Sequence, residues 1–224
     1  PFVERVWKMS KKLGNKDYTI VIHGKSNHEE TKATFSHAAK EGPSLIIKDI
    51  EEAKLLEEYI RSKKPKQEFY RDFAGKYSTG FNPDIHLRKI GVVNQTTMLA
   101  SETKEIASYV KDVIEDLYGI NEKAFADTRD SLCYATNDNQ SATYGLLDEG
   151  ADLAIVVGGY NSSNTTHLVE LCEQKYPTYF VSSKDKLLTS KEINHFDWRN
   201  KVERNSNNFL PRKDSGSRTI YSTP

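Results

Sequence analysis

Residues 151–168 read ADLAIVVGGYNSSNTTHL, and the fold class follows from them. Five apolar residues, Leu153 to Val157, run without a polar break and stop at Gly158-Gly159. A short continuous run of this kind is a strand buried on both faces, as in parallel sheets. Six polar residues follow, and from about Thr165 to Gln174 the apolar spacing becomes helical. Strand, glycine turn, polar loop and helix together make a βα unit.

The same unit recurs on both sides. Downstream, Thr178–Val181 is a strand. Upstream, Ser131-Leu132-Cys133-Tyr134 ends a strand and Asn139–Asp148 is helical. Earlier still, strands at Tyr18–Ile22, Ser44–Ile47 and Leu87–Val93 alternate with helices at Glu29–Ala39, Ile50–Lys63 and Glu102–Leu117. Alternation of this kind predicts an α/β fold of repeated βαβ modules with parallel sheets. Residues 64–86, aromatic, basic and rich in turn residues, read as an insertion packed on the surface. From Arg199 onward the chain is polar with hardly any apolar period, which predicts a poorly ordered tail over 199–224.

Composition narrows the chemistry. Lys plus Arg equals Asp plus Glu at 32 each, so no net field draws nucleic acid or an anionic membrane. No apolar run is long enough to cross a bilayer. Two cysteines, Cys133 and Cys172, make no disulfide framework. The first residue is Pro1, and helical text follows it at once, so we expect a piece of a longer chain.

In open α/β sheets ligands bind beyond the carboxyl ends of the strands. Four polar segments fall there: Asn27–Thr31, Asn94–Thr97, Cys133–Asn137 and Gly158–Thr166. In the last, two glycines let backbone approach a ligand, and Ser, Asn and Thr supply donors at a helix N-terminus, which favours a phosphate or diphosphate. Ordinary capping needs one or two such residues, not six. Thr96-Thr97, taken alone, reads as a helix cap, and His28 with Glu30 as a solvated helix start. The functional reading has His28 touching an anion while Glu30 handles protons. Cys133 is either a small buried residue or a nucleophile or metal ligand, and Cys172, between Leu168 and Leu171, reads as core.

Taken together, HGKSNHEETKAT (23–34), GVVNQTTMLASET (91–103), LCYATNDNQSATYGL (132–146) and VVGGYNSSNTTHL (156–168) resemble the LytB/IspH family, the 4-hydroxy-3-methylbut-2-enyl diphosphate reductases. The resemblance covers residues 1 to about 198. It implies three pseudo-symmetric α/β modules around a 4Fe-4S cluster, two of them present: the second module over 1–129 and an incomplete third over 130–198. It implies reductive dehydroxylation of an allylic diphosphate to isopentenyl and dimethylallyl diphosphates, fed by an electron donor such as ferredoxin or flavodoxin. Carried over, Cys133 is a cluster ligand. His28, Thr97, Ser162, Ser163 and Asn164 hold the diphosphate, Thr96 lies near the substrate hydroxyl, and Glu30 serves the proton relay.

Family members place a second cluster cysteine just before the position of Pro1, and an earlier module supplies the third. This chain alone is therefore expected to be inactive. Asp214-Ser215-Gly216-Ser217-Arg218 only echoes the family's last diphosphate segment. A bacterial cytoplasm, or a plastid stroma in a plant or alga, is the expected compartment, with no nucleic acid or membrane partner. The rival readings are a doubly wound phosphate- or nucleotide-binding module without redox chemistry, and a non-catalytic remnant.

Overall fold

A computed structural model describes residues 3–126, 128, 134–210 and 220–223. The chain divides into two compact units, Pro1–Cys133 and Tyr134–Pro224. The first contains α1 (Val3–Gly14), β1 (Thr19–His23), α2 (Glu29–Glu41), β2 (Ser44–Ile47) and α3 (Ile50–Ile60). It continues through α4 (Lys66–Asp72), α5 (Pro83–His86), β3 (Ile90–Asn94), α6 (Ala100–Tyr118) and β4 (Phe125–Ala126). The strands form one sheet in the order β2-β1-β3-β4, every pair parallel.

The two faces of that sheet follow from the alternation of side chains along a strand. Ile20 and Ile22 face Val6 and Leu13 of α1 and Ala38 of α2. Val21, Leu45, Ile47 and Val92 join the other cluster, with Leu56 of α3 and Ile106 and Val110 of α6. All five residues of β1 and of β3 are buried, as expected for strands covered on both faces. Each fully buried Ile, Leu or Val contributes about 1.5–3 kcal/mol.

The second unit contains α7 (Tyr134–Glu149), β5 (Leu153–Val157), α8 (Ser163–Glu173), β6 (Thr178–Val181), β7 (Glu192–Asp197), β8 (Val202–Asn207) and β9 (Ile220–Thr223). Its sheet runs β6-β5-β9, all parallel, and β7 pairs with β8 as an antiparallel hairpin. The α/β class with parallel sheets is thus as the sequence predicts. No helix among the described residues is long and apolar enough to cross a membrane.

Three local expectations are corrected. The segment 64–86 is not a surface appendage: Phe69 and Phe73 are fully buried and Phe81 nearly so. Lys76 to Ser78 also bond along β2, with Ile46 N donating to Lys76 O and Ser78 N to Ser44 O. The polar residues after Arg199 supply β8 and β9, because ladder bonds use backbone groups and need no apolar period. Tyr134, read as a strand end, opens α7, while residues 131–133 of that segment lie outside the described residues.

Candidate functional site

β1 and β3 lie side by side, with His23 level with Asn94, so the turns after them emerge at the same sheet end. After β1, Gly24 N donates to Ile47 O at 2.9 Å, His28 N closes a turn on Lys25 O at 2.9 Å, and α2 begins. His28 is the N-cap of α2, its Nδ1 accepting from Glu30 N at 3.2 Å. A ring nitrogen that accepts carries no proton, so neutral His28 holds its proton on Nε2, which is then a donor. His28 and Glu30 thus form a helix start, as the sequence taken alone suggests, with Glu29 and Glu30 in its first turn.

The turn after β3 is held differently. Thr96 and Thr97 do not cap α6; its N-cap is Leu99, which makes no side-chain cap bond. Thr96 N donates instead to Glu30 Oε1 at 2.6 Å, across 66 residues of sequence. Beneath this contact lies Gln95, fully buried. Its Oε1 accepts from Lys25 N at 3.2 Å and from Thr31 Oγ1 at 2.8 Å, while its Nε2 donates to Thr97 Oγ1 at 2.7 Å. Four predicted residues, His28, Glu30, Thr96 and Thr97, are therefore brought together within the first unit. Gln95 and Thr31 fall within the polar segments Asn94–Thr97 and Asn27–Thr31, but the sequence assigns neither of them an individual role.

The second unit repeats the backbone bonds of the first turn, with a cap bond reaching one residue further along its helix. Gly158 N donates to Val181 O at 2.9 Å, Ser162 N closes a turn on Gly159 O at 2.9 Å, and Ser162 caps α8 through Oγ and Thr165 N at 3.2 Å. Gly24, Lys25, His28, Glu30 and Thr31 thus correspond to Gly158, Gly159, Ser162, Asn164 and Thr165. A Cβ on Gly24 would lie 2.7 Å from Thr31 Oγ1, and one on Gly158 would lie 2.6 Å from the Thr165 side chain. Ser162, Ser163 and Asn164 occupy the cap and first turn of α8, where backbone N–H groups and the helix dipole favour an anion. Asn164 Oδ1 is buried without a hydrogen-bond partner among the described residues. Tyr160, which sequence reading overlooked, ties this loop to the hairpin: it stacks on Phe196 at 4.3 Å and meets Phe180 edge-on at 5.2 Å.

Residues 1–203 match the model of the LytB protein family. The chain belongs to that family. This LytB chain is 40% identical over 199 residues to the 4-hydroxy-3-methylbut-2-enyl diphosphate reductase of a Picosynechococcus species, covering 87% of the chain and 48% of that protein. It is 41% identical over 197 residues to the reductase of the same name from Microcystis aeruginosa, with the same coverage of both. Its fold is similar to that of the E-1-hydroxy-2-methyl-but-2-enyl-4-diphosphate reductase from Plasmodium falciparum. There the TM-score is 0.59 at 22% identity, covering 84% of this chain and 48% of that one. The LytB chain spans about half the length of the curated relatives it matches.

An iron–sulfur cluster finds no fit among the described residues of the LytB chain. No three His, Cys, Asp or Glu side chains gather there as a metal site. Cys172 is buried in α8, and burial pushes its thiol up to about 11, away from the thiolate that iron requires. Cys133 lies outside the described residues.

The glycine contacts carry a direct test. Gly24→Ala is expected to displace the Thr31 hydroxyl from Gln95 and cost about 1–3 kcal/mol, as overpacking does. A melting curve unchanged from wild type would show that the turn yields without strain.

Proposed function

We propose that this chain supplies diphosphate-binding and proton-handling groups of a 4-hydroxy-3-methylbut-2-enyl diphosphate reductase. The Glu30–Thr96 bond carries this reading, because it brings an acid/base side chain and a polar turn to one sheet end in a LytB chain. Backbone fixation of one carboxylate oxygen leaves Glu30 Oε2 as the atom that takes up and releases a proton. Thr96, beside it, is the residue nearest the substrate hydroxyl. His28 through Nε2–H and Thr97 through its hydroxyl are neutral donors to phosphate oxygens. Within the second unit, Ser162, Ser163 and Asn164 are themselves candidate donors to phosphate oxygens at the start of α8, where the helix dipole assists.

The proposed overall reaction is reductive: an allylic C–OH bond is replaced by C–H, two electrons and two protons enter, and water leaves. The isomeric products, isopentenyl and dimethylallyl diphosphates, differ in which carbon takes the proton. The described residues do not supply the electrons. Cys133 is the candidate ligand for a 4Fe-4S cluster, whose other thiolates would come from outside these 224 residues, and ferredoxin or flavodoxin is the proposed donor.

The test is to express the complete coding sequence containing this chain under anaerobic conditions. The 4-hydroxy-3-methylbut-2-enyl diphosphate is supplied with a chemical reductant. Formation of both diphosphate products is expected, and Cys133→Ser should abolish bound iron and turnover together. Absence of turnover in an iron-loaded protein would overturn the reading. Retention of diphosphate binding with no iron in either form would point instead to a phosphate-binding module without redox chemistry.

A further inference from the structure

We infer that Gln95 is a positioning residue that fixes the Thr97 hydroxyl as a hydrogen-bond donor directed at a bound phosphate oxygen. The inference rests on the diphosphate reading for its ligand, but its geometry stands without it. Every proton in the local network can be assigned from one group that has no choice. A backbone N–H only donates, so the Gln95 side-chain atom facing Lys25 N at 3.2 Å is the amide oxygen. That oxygen also receives the Thr31 hydroxyl at 2.8 Å. The other end of the amide is then NH2, which only donates, so at 2.7 Å the Thr97 oxygen is an acceptor. With its oxygen receiving the amide proton, Thr97 must send its own proton elsewhere.

A threonine hydroxyl in isolation is ambivalent, donating or accepting as its rotor turns. A diphosphate offers only acceptors at its ionised oxygens, so half of that freedom is wasted unless something removes it. Gln95 removes it. It can do so because it is immobile: it is fully buried, its backbone N donates to His23 O at 2.8 Å, and its carbonyl accepts from Asn94 Nδ2 and Met98 N, both at 3.0 Å. The glycine at position 24 keeps clear the space that Thr31 and Gln95 share, since a Cβ there would stand 3.1 Å from Gln95 Cβ. The same amide joins the turn bearing His28 and Glu30 to the turn bearing Thr96 and Thr97.

A purely structural tie between the two turns and an orienting role make different predictions, which a double-mutant cycle on the complete protein separates. Inorganic diphosphate is the probe, and calorimetric affinity is the readout. Gln95→Met is expected to weaken binding by about tenfold, the scale of one hydrogen bond to a charged group. In a Thr97→Val background the same change should weaken it no further. Equal loss in both backgrounds, or none in either, overturns the orienting role. If Gln95→Met fails to fold, Gln95→Glu replaces it. Read at a pH where the new carboxyl is ionised, this variant keeps an acceptor for Lys25 N–H and the Thr31 hydroxyl but turns the Thr97 proton inward; burying the charge lowers the melting temperature, and the folded protein should bind diphosphate far more weakly. Wild-type affinity in that variant overturns the inference.

The side-chain amide resonances of Gln95 provide a readout without ligand: they should shift on Thr97→Val and exchange slowly in wild type. If the wild-type protein binds no diphosphate, the functional reading falls. The amide resonances then decide the hydroxyl orientation alone, an unchanged spectrum in Thr97→Val overturning it.

Discussion

Glu30→Gln in the complete protein is expected to lower kcat by about 10²–10³-fold, within the range that a positioned proton donor contributes. The folded structure should hardly notice. A glutamine oxygen accepts the Thr96 N–H as the carboxylate does at 2.6 Å, so the joint between the two turns survives and the melting temperature should stay at the wild-type value. What is lost is the ability of the free oxygen to carry a proton. Glu30→Asp provides the geometric control, since a shorter side chain keeps the acid but withdraws it from Thr96. A kcat for Glu30→Gln within about threefold of wild type, with normal stability, would remove Glu30 from the proton path.

The largest effect on stability is expected at Phe69. Its ring stacks on Phe81 at 5.3 Å and 7°, meets Tyr59 edge-on at 5.3 Å, and lies 4.9 Å from Phe73 and 5.8 Å from Tyr77. None of its surface is exposed. Phe69→Ala should therefore cost about 3–5 kcal/mol, transfer and cavity terms together. Chemical denaturation of the first unit's transition measures it. The loss should reach the sheet, because Tyr77 bridges Leu45 on β2 and Tyr59 of α3 donates to Asp72 at 2.5 Å at the end of α4. The Tyr59 bond holds the Asp72 carboxyl below its usual range, with Lys64 assisting. That increment is present above the unfolded carboxylate's value and fades as the pH falls through the lower folded one. A cost below about 1 kcal/mol for Phe69→Ala would mean that residues 64–86 are peripheral after all.

What can be read in a single sequence is what short-range rules govern. The run Leu153–Val157 is a strand because a continuous apolar segment of that length suits a sheet covered on both faces. Gly158-Gly159 ends it, and Ser162 starts α8 because its hydroxyl can take up a free N–H of the first turn. Family text then added residue roles to turns whose location periodicity had already suggested.

The failures were of another kind. The aromatics of 64–86 looked like surface because turn residues surround them, yet burial depends on what the folded chain sets opposite. β8 and β9 went unread because backbone pairing has no composition of its own.

By itself the sequence determined the parallel α/β class and, at Asn27–Thr31, Asn94–Thr97 and Gly158–Thr166, the strand–turn–helix units and the position of their polar turns, since periodicity, glycines and caps act between near neighbours in the chain. Only the tertiary structure decided that β1 pairs with β3 as well as β2, and hence that Glu30 meets Thr96 and that Gln95 joins Lys25, Thr31 and Thr97. Strand neighbours are chosen by the packing of the whole core, and a carboxylate bonded to a backbone N–H 66 residues away leaves no mark in the identity of the residue that donates it.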